Sequence, residues 1–152
     1  MGFAVLVFIV GLIVSVEVPA AGARAGDFPL EIAGLVAVYL VTDMLIFGAL
    51  MVAAMADRAQ PAFHKRLIVC ATVALTTAAI GRVLPAGSLI FYLAWLAPLF
   101  VLIGVDLVKL KRPHVVSIAA LALLTFAFFK NDLLAQLPAA RSVGLLMVSP
   151  WI

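Results

Sequence analysis

Five continuous apolar runs, each bounded by charged or turn-forming residues, constrain this chain more than any other feature. They cover residues 3–18, 30–55, 64–84, 88–110 and 114–137. In hydrocarbon, every backbone N–H and C=O must be bonded inside its own segment or around a closed barrel. Unbroken apolar runs, unlike the alternating strands of a barrel, therefore predict helices. The expected class is all-α, an integral membrane bundle of about five transmembrane helices forming a single unit over residues 1–152. Composition enters by exclusion: 67% of residues are hydrophobic and only 11% are charged, against roughly 25% charged in soluble domains. A water-soluble fold of this chain would leave large apolar patches bare. The same balance argues against disorder, a disulfide scaffold and a nucleic-acid partner. The lone cysteine, Cys70, sits inside an apolar run and reads as a small buried hydrophobe.

The runs differ in quality. Residues 3–18 supply about 16 residues where roughly 20 are needed to cross a bilayer. A span, a span fragment and a signal-like segment all fit that length. Ala21-Gly22-Ala23 offers small residues for cleavage, yet no Lys or Arg precedes the run. The connections carry turn chemistry at 19–29, 57–61, 85–87 and 111–113. Pro98 falls inside the fourth run and predicts a kink. Beyond the fifth run, residues 138–152 are too short to cross; they read as an interfacial tail anchored by Trp151, or as a segment packed on the bundle.

Charge distribution predicts orientation. Arg58, Lys65 and Arg66 follow the second run, and Lys109, Lys111 and Arg112 follow the fourth, whereas the other two connections hold only Arg24 and Arg82. Lys and Arg are retained on the cytoplasmic side. Five spans then give a cytoplasmic N-terminus and a periplasmic C-terminus in an inner membrane, with Lys130 and Arg141 running against the trend.

No phosphate-binding glycine loop, zinc-protease histidine pair, paired-cysteine motif or nucleophile elbow is present, so no catalytic residue is named and the chain does not read as an enzyme. Asp43 is the most expensive residue, about 11 residues or roughly 17 Å into the second run. An ionised carboxylate at that depth costs about 3 kcal/mol. Two readings remain: a proton-, ion- or ligand-binding group, or a carboxyl locked to a hydroxyl such as Thr72, Thr76 or Thr77. His64 and Arg82 are eighteen residues apart, five turns on a continuous helix and about 27 Å, which places them on one face bracketing the third span. Arg82 reads as an anchor or as a contact for an anionic ligand. His64 and His114 begin the third and fifth spans on the same side, where neutral imidazoles could ligate haem or a metal, or contact headgroups. Asp106 reads as a solvated or paired end residue, Glu17 as a surface residue, and Phe91, Tyr92, Trp95 and Phe100 as packing or lipid-facing aromatics.

The string FHKRLIVCATVALTTAAIGRVLP, with DMLIFGALMVAA before it and GVDLVKLKRPHVVS after the next span, resembles uncharacterised bacterial multi-pass membrane proteins. In those proteins the helix opens with a His-Lys/Arg-Arg-Leu/Trp-Met pattern and ends in Arg. The resemblance implies that Asp43, His64, Arg66, Arg82 and His114 are the polar positions, and that helices carrying more histidines lie upstream of where this chain starts. If such histidines act as a set on haem or a metal, this chain keeps only His64 and His114.

Together these readings predict a small membrane protein that binds a small ligand, lipid or proton at Asp43. The alternatives are a redox protein holding haem b or a metal through His64 and His114, and a small proton-coupled carrier. The expected partners are the lipid bilayer and a second copy or other membrane subunits.

Overall fold

The computed structural model describes residues 2–81, 83–85 and 88–152. Among the described residues there is no strand, and the chain is all-α. Five helices are long and apolar enough to cross a membrane: Gly2–Ala25, Leu30–Ala56, Pro61–Ile80, Leu89–Leu110 and Val115–Gln136. We label them α1, α2, α3 with its short continuation α4, α5 and α6. The protein is a multi-pass helical membrane protein whose outward surface is apolar; Val108 of α5, for example, is 73% exposed. Such faces meet lipid.

The first helix is longer than the apolar run suggests. It spans 24 residues, about 36 Å at 1.5 Å per residue, because it continues through Pro19 into the connection expected over residues 19–29. A proline inside a membrane helix removes one N–H, here the partner of the Ser15 carbonyl. Ser15 and Pro19 are both buried there, and the Ser15 hydroxyl donates to Gly11 O at 2.6 Å. What ends the helix is Gly26. Its φ of 82° is the left-handed conformation that glycine adopts without a Cβ penalty. Gly26 N–H then donates to Ala23 O at 3.1 Å and Asp27 N–H to Gly22 O at 3.0 Å, a Schellman closure that satisfies two terminal carbonyls.

The third span is interrupted, contrary to the continuous helix expected from His64 to Arg82. α3 runs Pro61–Leu75 and α4 runs Thr77–Ile80, with Thr76 between them. The physical reason lies at one carbonyl. Val73 O accepts the indole N–H of Trp95 at 2.7 Å, the Thr76 N–H at 3.1 Å and the Thr76 hydroxyl at 2.8 Å. The acceptor that the Thr77 N–H needs for a regular turn is thus already occupied. The continuous helix that the five-turn spacing of His64 and Arg82 requires is broken at Thr76, and Arg82 itself lies outside the described residues.

α5 starts at a side-chain cap, Ser88 Oγ accepting from Phe91 N–H at 3.1 Å, and stops where Lys111 turns left-handed at φ 57°. Residues after α6 form α7, Pro138–Val148, and a 3-10 turn, Ser149–Trp151.

The described helices gather into two compact units. One comprises the chain up to Leu45 together with Phe129–Ile152; the other is Ile46–Phe128. In the first unit α7 packs on the other helices instead of lying free as an interfacial tail. Val148 is fully buried with Ala20, Ala33 and Ala37. Gly34 of α2 and Gly144 of α7 bring their backbones together, so that a Cβ built on Gly34 would stand 2.8 Å from the Gly144 carbonyl carbon. Small residues at such crossings let membrane helices gain dispersion contact without a hydrophobic drive. In the second unit α3 packs on α5. Trp95, Phe91 and Phe128 fill that unit with ring centroids 6.1 to 6.5 Å apart.

Candidate functional site

Asp43 stands midway along α2 and its partner is a cation. Lys130 of α6 donates from Nζ to Asp43 Oδ1 at 2.9 Å and to Asn131 Oδ1 at 2.9 Å. The side chains of Lys130 and Asp43 are 10% and 18% exposed. Thr72, Thr76 and Thr77 each donate to a carbonyl three or four residues back on their own segment. A lone charge inside a span costs about 3 kcal/mol, whereas a carboxylate and an ammonium in contact share that cost and leave the pair neutral. Lys130 is the partner that sequence reasoning misplaced, as a charge opposing the orientation rule. A signal was available: it interrupts the apolar stretch LLTFAFFKNDLL, and a cation at that depth demands a carboxylate.

A second polar cluster lies in the other unit. Asp106, near the end of α5, is 1% exposed and so is not solvated. Arg66 of α3 donates from Nη2 to Oδ1 and from Nε to Oδ2 at 3.3 Å. Ser117 Oγ and the His114 backbone N–H also donate to Oδ2, at 2.8 and 3.3 Å. Arg66 Nη1 donates to Ala62 O at 2.7 Å. Guanidinium and carboxylate meet in the two-pronged geometry that makes such pairs strong. The carboxylate thereby joins the start of α3, the end of α5 and the start of α6.

The two histidines belong to the same end of this unit, and each holds a helix end. His64 Nδ1 is 2.7 Å from Ala54 O, one of the carbonyls that the end of α2 leaves without a helical partner. Because a carbonyl can only accept, His64 carries its proton on Nδ1. His114 precedes α6, and its Nδ1 accepts from the Val116 N–H at 3.3 Å; its ring stands edge-on to Phe63 with centroids 4.7 Å apart. A neutral ring that accepts at Nδ1 carries its proton on Nε2. With Nδ1 engaged in this way, His114 has no lone pair to offer haem or a metal while it caps α6. Among the described residues no three or more His, Cys, Asp or Glu side chains gather as a metal site.

The aromatic residues serve packing. Trp95 is buried, and Tyr92 Oη pairs with Thr125 Oγ1 at 2.7 Å. Glu17 and Phe100 are exposed. Cys70 is buried and unpaired with any other cysteine. No protein-family model, curated protein or solved structure matches this chain.

Proposed function

We propose that the Asp43–Lys130 pair is a proton- and ligand-exchange site, and that the protein acts as a small proton-coupled carrier in a bacterial inner membrane. The observation that supports this reading is the ion pair itself: two opposite charges 2.9 Å apart on α2 and α6, both in membrane-spanning helices and neither fully sealed. Ionisable groups inside spans more often mark ion or proton paths than packing. Chemically the pair has two states. With Asp43 ionised, Lys130 is neutralised by contact. With a proton on Asp43, Lys130 keeps Asn131 as an acceptor and turns its charge to an incoming anion, so that proton and anion bind together.

The same pairing bears on orientation. Lys130 is held by Asp43 inside the protein and drops out of the loop count, which leaves Arg141 as the cation opposing a cytoplasmic N-terminus and periplasmic C-terminus. Both basic connections lie at one end of the second unit, where Arg66 meets Asp106. With Lys130 paired to it, Asp43 needs no second copy to balance its charge.

The test is proton flux into liposomes carrying the purified protein and a trapped pH-sensitive dye. Asp43→Asn should fold with unchanged helical circular dichroism and abolish flux, and the charge-neutral double variant Asp43→Asn/Lys130→Gln should do the same. Native-like flux in either variant overturns the carrier reading. Failure of both to fold gives the pair a purely structural role.

A further inference from the structure

The second unit contains a cavity of about 620 Å³ where α3 begins and α5 turns into α6. Ala62 and Arg66 line it from α3, Leu110 and Arg112 from the end of α5, and His114 and Val115 from the start of α6. Its wall has two chemistries. One part carries the two arginines, Arg66 and Arg112, beside the first turn of α6. The other is apolar, made by Leu110 and Val115, both exposed side chains at the ends of membrane-spanning helices.

The two arginines are not equivalent. Arg66 is fixed by Asp106 and by Ala62 O, so its position is set and much of its charge is balanced. Arg112 is exposed and makes no ion pair among the described residues, so its charge is left for a ligand. Around them Arg58, Lys65, Lys109 and Lys111 flank the same helix ends, against Asp57 and the already engaged Asp106. The volume is within the usual range of small-molecule sites, about 300–1,000 Å³. Basic pockets between transmembrane helices on the cytoplasmic side suit anionic headgroups.

We propose that this cavity binds the phosphate headgroup of an anionic phospholipid, the phosphate between Arg66 and Arg112 and the upper acyl chain along Leu110 and Val115. The apolar wall decides between a lipid and a free phosphate ion. A free ion gains nothing from Leu110 and Val115, whereas an amphiphile satisfies both parts of the wall at once. The site is separate from Asp43 and Lys130, so its test and that of the carrier reading succeed or fail independently.

The experiment is native mass spectrometry of the delipidated full chain in neutral detergent, titrated separately with phosphatidylglycerol, phosphatidylcholine and inorganic phosphate. A single phosphatidylglycerol should be retained in preference to phosphatidylcholine, and inorganic phosphate should bind far more weakly. Removing one cation near a lipid surface should weaken retention about fivefold, so Arg112→Gln should show that loss. Arg24→Gln, the same charge change on an exposed residue of the other unit, should stay near native. Circular dichroism checks that both variants fold. Equal retention of both lipids, native retention by Arg112→Gln, or an equal loss in Arg24→Gln would each overturn the proposal. So would inorganic phosphate binding as tightly as the lipid, which would make this a soluble-anion site.

Discussion

Asp43 and Asp106 are both aspartates in apolar helices, and the structure treats them differently. Asp106 is 1% exposed and accepts from two guanidinium nitrogens, a hydroxyl and a backbone amide, so that three helix ends depend on it. Asp43 is 18% exposed on its side chain and takes one described donor, the Lys130 ammonium, which is itself shared with Asn131. A sealed carboxylate with four donors on its two oxygens is costly to disturb and suited to holding helices in place. A carboxylate held by one flexible ammonium can exchange that partner at small cost, which is what a binding or coupling group requires. Satisfaction of the carboxylate, more than its depth in the membrane, is what distinguishes Asp106 from Asp43, the residue proposed as the exchange site.

The sharpest way to break this contrast is to remove each cation. Arg66→Gln leaves Asp106 buried with its main counter-charge gone, and truncating one side of a sealed pair costs about 3–5 kcal/mol. The expected result is a large loss of stability in denaturant titration monitored by helical circular dichroism, with poor recovery from membranes. Lys130→Gln should cost less, about 2 kcal/mol, because the less enclosed Asp43 can shed its charge by taking a proton. A loss for Lys130→Gln equal to that for Arg66→Gln would erase the distinction and make Asp43 a second structural lock.

The sequence displayed one half of each pair better than the other. The five helices follow from continuous apolar runs, since a bilayer leaves the backbone no alternative. The expense of Asp43 was equally visible, because a carboxylate in the middle of a 27-residue apolar helix has no surface to reach. Its partner was hidden: Lys130 lies 87 positions away, and no local spacing connects α2 to α6. Asp106 was legible as a helix-end residue, but its four donors come from segments that meet only after α3, α5 and α6 are packed. The length of α1 was readable in principle. Gly26 stands where a left-handed stop belongs, and Pro19 drew the boundary inward only because proline is a weaker breaker in a membrane helix than in water.

The break at Thr76 supplies the smallest and most specific prediction. It depends on a neutral contact, the Trp95 indole on the Val73 carbonyl, made across 22 positions of sequence and therefore invisible to helix periodicity. Trp95→Phe keeps a ring against Phe91 and Phe128 but deletes the N–H. Hydrogen bonds between membrane helices are worth about 0.6 kcal/mol on average and up to about 1.7 kcal/mol, so the stability loss should be well below that of either charged variant. The informative readout is local. With one of its three donors removed, Val73 O has room for the Thr77 N–H, and amide exchange at Thr77 should slow while the rest of α5 is unchanged. Faster exchange there would mean that the indole supports the turn instead of interrupting it, and the break would then belong to the paired threonines, whose hydroxyls bond back to Val73 O and Ala74 O.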